Sequence, residues 1–327
     1  MIWLTWRQWR SQAVTTLGAL LIVGVVLVYT GPHLHQLYQN SGIAACRASQ
    51  GDCGPLVDDF TSHYQWLQAL AFLILFIPGL VGAFWGAPLV ARELETGTHR
   101  LAWTQSVSRT RWLATKVLFL GAASVLTAGA FTLIYAWWAS PLDTVNANRL
   151  DPGVFDQRGI VPMAYAAFAF ALGLAAGVTI RRTLAAMATT LAGFVAVRFI
   201  VQYWVRPKLA TPVHFTTPAS FTEGATSTLL KPNDWLVSSR HIDAAGHTLH
   251  IGGEHGEGLR GVCHIPRGDF SRDLLQRCAQ RLGIQDVLSV QPASRYWAFQ
   301  IREAVIFAVL ALALAATAFW WTQRRIR

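Results

Sequence analysis

Six long apolar runs, separated by shorter polar stretches, dominate the pattern of this chain. A helix rises about 1.5 Å per residue, so roughly 20 apolar residues cross the hydrocarbon core of a bilayer. Each run has about that length and is bounded by charged or turn-forming residues. The pattern predicts an all-α integral membrane protein with six transmembrane helices, over residues 13–30, 66–90, 113–138, 161–180, 184–205 and 297–321.

The two ends of the chain carry their own signals. Trp3, Trp6 and Trp9 recur at every third position among polar residues. This spacing predicts a short elbow helix over residues 1–12 that lies in the membrane interface, because such a helix turns its aromatic side towards the lipid. At the other end, residues 297–327 combine the last span with a basic tail.

A large polar segment, residues 206–296, separates the fifth span from the sixth. Within it, residues 234–237 and 248–251 have the composition of short strands around a glycine turn, and residues 270–282 have the pattern of a helix. We therefore expect a small α+β extracytoplasmic domain between helices five and six.

Composition and charge support a membrane protein and indicate its orientation. The chain is 53% hydrophobic and only 13% charged, with a mean hydropathy of +0.35, which argues against a water-soluble globular protein. Arginine and lysine concentrate on one side of the predicted spans, and that side should be cytoplasmic. The distribution predicts a multi-pass protein with both termini in the cytoplasm, where the basic residues are Arg7, Arg10, Arg92, Arg100, Arg109, Arg111, Lys116, Arg181, Arg182, Arg324, Arg325 and Arg327.

The four cysteines test this topology independently. Cys46 and Cys53 fall in the first outer loop, and Cys263 and Cys278 fall in the large outer segment. Disulfides persist on the oxidising side of a membrane and are rare in the cytosol. We predict two local bridges, one within each pair, although four cysteines permit three pairings and four free thiols are the alternative.

Signatures of catalysis are missing from the sequence. It contains neither a phosphate-binding G-x-x-x-x-G-K-[ST] loop nor an H-E-x-x-H or G-x-S-x-G motif. His250, Glu254 and His255 lie close together, but their spacing matches no zinc pattern and they are interpreted as solvated loop residues. We predict no catalytic residue, no metal ligand and no enzymatic activity for this chain.

Two charged residues are predicted to lie inside the membrane. Arg198 is in the fifth span and Glu303 is in the last, at similar depths below the outer surface. Charges at such depth usually pair or line a cavity. We predict that Arg198 and Glu303 form an intramembrane ion pair; the alternative is that Arg198 extends its guanidinium to the interface.

Small residues mark the second and fourth spans. Gly82 and Gly86 in one, and Gly173 and Gly177 in the other, follow the small-xxx-small spacing that allows helices to pack closely. Packing within one subunit is expected, with a dimer seam as the alternative. Pro78 should kink the second span, because proline removes a backbone donor.

The connection between the second and third spans carries a family resemblance. Glu93 and Glu95 precede Gly97-Thr98, and a short amphipathic stretch leads to Ser108-Arg109 before the next apolar helix. This loop, residues 91–112, resembles the first cytoplasmic loop of type 2 ABC exporter permeases, in particular actinobacterial ones. The elbow, the six spans and the approach to the last helix are also similar to that family. The large outer segment is a departure from it.

The resemblance implies a coupling helix over residues 93–103 that is seated in a cleft of a separate ATPase subunit. An ordinary basic loop beside the membrane is the alternative interpretation. The predicted coupling residues are Arg92, Glu93, Leu94, Glu95, Gly97, Thr98, His99, Leu101 and Trp103.

The function implied is that of the permease subunit of an ATP-driven exporter in a bacterial plasma membrane. Its partners would be an ABC ATPase subunit, a second permease copy or homologue, membrane lipid, and a drug, antibiotic, peptide or lipid-like cargo; no nucleic-acid partner is expected. No cofactor is expected on this chain, because ATP and Mg²⁺ would bind the partner ATPase. A membrane-anchored sensor with a ligand-binding outer domain is the main alternative, and an intramembrane enzyme is less favoured.

Overall fold

A computed structural model describes residues 2–49, 53–62, 75–98, 108–146, 149–220, 233–249 and 272–325. Within them, five helical segments are long and apolar enough to cross a membrane. They confirm a mostly helical, multi-pass membrane protein and five of the predicted spans. The second predicted span lies partly outside the described residues. The five segments are Ala13–Asn40, Arg109–Trp138, Val161–Ile180, Thr183–Lys208 and Ala293–Arg324.

The predicted elbow is not a separate element. The first helix, α1 (Ile2–Asn40), runs without a break through the elbow region, the first span and the start of the outer loop. Nothing near residue 12 interrupts it, because Ser11 and Gln12 are compatible with a helix. Pro32 is also accommodated inside α1.

Two short helices, α2 (Ile43–Ala48) and α3 (Gly54–Ser62), follow α1 in the predicted first outer loop. The disulfide between Cys46 and Cys53 joins them, which confirms the first predicted bridge. The second predicted bridge involves Cys263, which lies outside the described residues, so that bridge stays a prediction.

The described part of the second span begins at residue 75. It comprises α4 (Ile77–Val81), a π-helical turn (Gly82–Gly86) and α5 (Ala87–Thr96) in continuous succession. Pro78 stands in the first turn of α4 rather than in the middle of a helix. Proline is tolerated there, because the amide hydrogens of a first turn have no partner inside the helix.

The remaining membrane helices are α6 (Arg109–Trp138), α9 (Val161–Ile180), α10 (Thr183–Ile200) and α12 (Tyr296–Arg324). Helices α7 (Ser140–Asn146) and α8 (Pro152–Phe155) lie between α6 and α9. In the most apolar stretch of α9, 67% of the residues are buried, compared with 17–28% in the other four spans. Helix α9 is therefore the central helix of the membrane unit.

Glycines bring α9 into backbone contact with the second-span segment. A Cβ atom on Gly173 would lie 2.4 Å from the carbonyl oxygen of Gly82, and one on Gly177 would lie 2.5 Å from that of Ala87. Gly86 packs in the same way against the backbone of α9. Both glycine pairs are thus used within this chain, as the sequence predicts, and they do not provide a dimer seam.

A π-helical turn (Val201–Val205) and a 3₁₀ turn (Arg206–Lys208) continue the fifth span beyond α10. The membrane unit of the structure comprises residues 1–146, 152–206 and 298–327, and a second unit comprises residues 147–151 and 207–297.

Within its described residues, the second unit contains a four-stranded antiparallel sheet in the order β1-β4-β2-β3. The strands are β1 (Val213–Pro218), β2 (Trp235–Ile242), β3 (Thr248–Leu249) and β4 (Gln285–Gln291). Helix α11 (Arg272–Arg281) precedes β4. Both predicted strands and the predicted helix are found with shifted limits, whereas β1 and β4 were not predicted.

Candidate functional site

Helix α5 ends earlier than the predicted coupling helix. It runs only to Thr96, because Gly97 adopts a left-handed conformation with φ of 74°. Glycine at this position is a common helix terminator, since it has no Cβ to oppose a positive φ. The predicted helix over residues 93–103 is therefore wrong in its limits. His99, Leu101 and Trp103 lie outside the described residues.

Glu93 links α5 to the third span. Its carboxylate lies 2.6 Å from the ammonium group of Lys116 on α6, and the two side chains are only 13% and 4% exposed. The ammonium group also lies 4.7 Å from the ring centre of Trp112. Removing one partner of an ion pair this buried leaves an uncompensated charge, so the contact strongly favours the observed position of α5.

Glu95 links α5 to the fifth span. Its carboxylate accepts hydrogen bonds from the backbone N–H and the hydroxyl of Thr183, at 3.0 and 2.7 Å. Thr183 is the first residue of α10, so the carboxylate occupies the place of an N-terminal cap, where negative charge is favoured. These hydrogen bonds, with a smaller contribution from Arg182, lower the pKa of Glu95 against the opposing effect of desolvation.

The faces of α5 differ in exposure. Leu94 packs against an apolar cluster that includes Val90 and Trp112. Arg92 and Thr98, by contrast, are exposed. We use the name inner junction for α5 with Gly97 and Thr98. It is tied to the third span by Glu93, to the fourth by the glycine contacts and to the fifth by Glu95, and it leaves one polar face open.

A second set of charged residues lies at the opposite ends of the spans from the inner junction, which are the outer ends in the predicted orientation. Arg206 donates two parallel hydrogen bonds to Glu303, from Nε at 2.7 Å and from Nη2 at 2.8 Å. Arg206 also bonds Asp156, as does Arg198, whose Nη2 lies 2.7 Å from the carboxylate. The hydroxyl of Tyr165 contacts both acids, 3.0 Å from Asp156 and 2.5 Å from Glu303. We call these five residues the outer charge cluster.

The predicted ion pair between Arg198 and Glu303 is thus corrected. The two residues belong to one cluster, but Arg198 pairs with Asp156, while Glu303 pairs with Arg206. Asp156 falls between the third and fourth predicted spans, and Arg206 is the first residue of the predicted outer segment. Both are instead buried, with Arg206 fully covered. Arg206 is compensated by its bidentate contact with Glu303, and Asp156 by its contacts with Arg198 and Arg206.

The cluster also reaches the second span and α9. Nη1 of Arg198 donates to the backbone carbonyl of Leu75 at 2.6 Å, just before α4 begins. One turn before Glu303, the side-chain oxygen of Gln300 accepts from the N–H groups of Ile160 and Val161 at the start of α9. These contacts hold the outer ends of the second, fourth, fifth and last spans together.

The described residues contain no group of three or more His, Cys, Asp or Glu side chains that could hold a metal ion. His250, Glu254 and His255, which were interpreted as loop residues, lie outside the described part of the chain.

Comparison with known proteins identifies the family. A family model described as ABC-2 membrane transporter related matches residues 17–206, which is more than half of the chain. The matched region contains the inner junction and four residues of the outer charge cluster, and it ends at Arg206. No curated protein matches the sequence. This chain belongs to the family of ABC-2 membrane transporter related proteins.

Proposed function

We propose that this chain is the permease subunit of an ATP-driven exporter, and that its inner junction receives the motion of a separate ATPase subunit. Membership of the family implies a membrane transporter subunit and an ABC ATPase partner. The sequence has no phosphate-binding loop of its own, which is consistent with ATP and Mg²⁺ binding to that partner.

The contacts between the inner junction and three membrane spans support this proposal. A coupling element must be rigidly joined to the helices that it moves, and it must expose a surface to its motor. The Glu93–Lys116 ion pair, the glycine contacts and the cap on Thr183 join α5 to three spans. Its exposed polar side chains, which include Arg92, are free to meet a cytosolic protein.

Continuity along the second-span segment gives this motion a path. Residues 77–96 are helical throughout, through α4, the π-helical turn and α5. At the inner end they are tied by Glu93 and Glu95, and at the outer end Arg198 holds the carbonyl of Leu75. A displacement of α5 would therefore move α9 with it, since the glycine contacts leave no space between the two backbones.

The rest of the proposal concerns assembly and cargo. Two such subunits, identical or related, would form a pathway with two ATPase subunits in a bacterial plasma membrane, with both termini in the cytoplasm. The cargo would be a drug, an antibiotic, a peptide or a lipid-like molecule, moved outward. These features rest on what is usual for ABC exporter permeases and on the basic bias of one membrane side.

Co-expression with an ABC ATPase encoded beside this chain tests the proposal. We expect the ATPase to copurify with the wild-type chain and to hydrolyse ATP faster in its presence. Glu93→Gln should reduce that stimulation, because the variant loosens α5 from the third span. Arg92→Glu should weaken copurification itself, because Arg92 lies on the exposed face.

Asp58→Asn is the matched control. Asp58 is an exposed carboxylate on the outer helix α3, so its amide variant should match the wild type in both measurements. If no ATPase associates with the wild-type chain, the exporter proposal fails and the sensor alternative takes its place. If association is normal but all the variants behave like the control, the role of the inner junction is refuted and the exporter proposal survives.

A further inference from the structure

Three arginines gather where the fourth and the last spans end on the inner side. Arg181 follows α9, Arg324 is the last residue of α12, and Arg325 follows it. Nη2 of Arg181 donates to the backbone carbonyl of Arg325 at 3.1 Å, which brings the two helix ends together. All three side chains are exposed. We call them the arginine triad.

Two features show that the arrangement is specific. Arg181 holds a left-handed conformation with φ of 59°, which is uncommon for a residue other than glycine. Arg324 and Arg325 each lie over a tryptophan ring, with guanidinium carbons 5.6 Å from the centre of Trp320 and 5.8 Å from that of Trp321. Stacking of this kind fixes the direction of a guanidinium group.

The positive charge of the triad is not neutralised by neighbouring acids. Among the described residues, no carboxylate lies within ion-pair distance of Arg181, Arg324 or Arg325. Glu93 contacts Lys116, and Glu95 contacts the start of α10. The carbonyl ends of the two helices favour positive charge, and each guanidinium group carries five N–H donors.

The tryptophans place these donors at the level of lipid headgroups. Tryptophan favours the boundary between hydrocarbon and water, and Trp320 is 45% exposed. Arg324 and Arg325 follow within about one turn. Guanidinium forks at this level match the oxygens of a phosphodiester, which accept parallel hydrogen bonds.

We infer that the arginine triad binds the headgroup of an anionic phospholipid in the leaflet at this end of the spans. The lipid would bridge the ends of α9 and α12. This inference does not depend on an ATPase partner, because it rests only on the Arg181–Arg325 contact, the tryptophan stacking and the unneutralised charge.

Native mass spectrometry of the purified full chain tests the inference. The probes are phosphatidylglycerol and phosphatidylcholine with the same acyl chains. We expect the wild type to retain phosphatidylglycerol in preference. The double variant Arg181→Gln/Arg325→Gln should bind it about thirtyfold more weakly, at about five- to sixfold per arginine. The preference should also weaken as ionic strength rises.

Arg10→Gln/Arg111→Gln is the matched control, since it removes the same charge from two exposed arginines on the same side of the membrane. This control should bind phosphatidylglycerol like the wild type. Equal binding of the two lipids by the wild type, or equal losses in the two double variants, would overturn the inference. So would saturation of the triad by inorganic phosphate without any preference for the lipid. Loss of a protein partner in Arg181→Gln/Arg325→Gln with unchanged lipid preference would assign the triad to a protein surface instead.

Discussion

Replacing Gly173 by alanine should force the fourth span away from the second-span segment. The added Cβ would lie 2.4 Å from the carbonyl oxygen of Gly82 and 2.7 Å from the backbone nitrogen of Ala87. Ordinary contacts of a Cβ atom begin at 3.4 Å, which is 1.0 Å more than the first of these distances. Because both obstacles are backbone atoms, no side chain can rotate away, and the two helices have to separate.

The magnitude follows from that separation. A gap of about 0.5–1 Å already removes a quarter to a half of the dispersion energy of each atom pair across an interface. Overpacking in well-packed cores typically costs about 1–3 kcal/mol. For a chain of this size, a loss of 1 kcal/mol lowers the midpoint of thermal unfolding by roughly 2 °C, so we expect a decrease of about 2–6 °C.

Thermal unfolding of the purified chain in one detergent measures this effect, and Gly24→Ala provides the control. Gly24 lies inside the first span, and a Cβ atom there would meet no described residue within 4 Å. Alanine also has the better helix propensity, by up to about 1 kcal/mol, so the control should be as stable as the wild type or more stable. Equal midpoints for Gly173→Ala and Gly24→Ala would refute the close backbone contact.

Other contacts give further predictions. Glu303→Gln should reduce the free energy of unfolding by about 3–5 kcal/mol, because it leaves Arg206 buried beside a neutral amide. The double variant Glu303→Gln/Arg206→Gln should cost less than the sum of the two single changes. Additive costs would contradict the bidentate contact between the two residues. The cap formed by Glu95 stabilises the folded chain fully above the ordinary pKa of a glutamate. This contribution should be lost as the pH falls through the lowered pKa of Glu95. Hydrogen exchange at the first amide of α10 should show this loss in the wild type, whereas Glu95→Gln should show no such transition. Replacing both Cys46 and Cys53 by alanine should cost roughly 2–3 kcal/mol, since the bridge closes a short loop, and an unchanged unfolding midpoint would argue against that contribution.

Much of the membrane architecture is predictable because it depends on one-dimensional properties. Span length is set by hydrocarbon thickness, and apolar runs of that length can be counted directly. The role of Gly173 and Gly177 is equally predictable, because small-xxx-small spacing inside a membrane indicates close packing between helices. The sequence cannot say which helix they meet, and only the structure brings them to Gly82 and Ala87.

The outer charge cluster was predictable only in part. Arg198 and Glu303 stand out because they interrupt apolar runs, but Asp156 and Arg206 lie in polar surroundings that resemble ordinary loops. Their burial depends on how α8 and the end of the fifth span fold back, and these are long-range contacts with no local pattern. The sequence therefore identifies Arg198 and Glu303 as buried charges, but it pairs them with each other rather than with Asp156 and Arg206.

The end of α5 and the strand β4 were not predicted, although local sequence patterns indicate both. Gly97 follows a charged helical stretch and is a recognised helix terminator, so the end of α5 could have been placed at Thr96. Val287 to Val290 in β4 fall in a short apolar run within a polar segment, which favours a strand over a loop. For α5, the family resemblance favoured a longer helix than the glycine signal supports. For β4, the polar surroundings favoured a loop over the strand that the apolar run indicates.

The contacts also indicate where conformational change in the membrane unit would have to occur. The second-span segment and α9 share backbone contacts, and the inner junction adds α6 and α10 through Glu93 and Glu95. Elements joined in this way move together, because packed interfaces shift between discrete arrangements rather than deforming continuously. The apolar stretches of the first and last spans are only 17% buried in this chain. A push on α5 would therefore displace the central helices as one body. The compensating movement would fall on α1, because Glu303 and Gln300 tie α12 to the fourth and fifth spans.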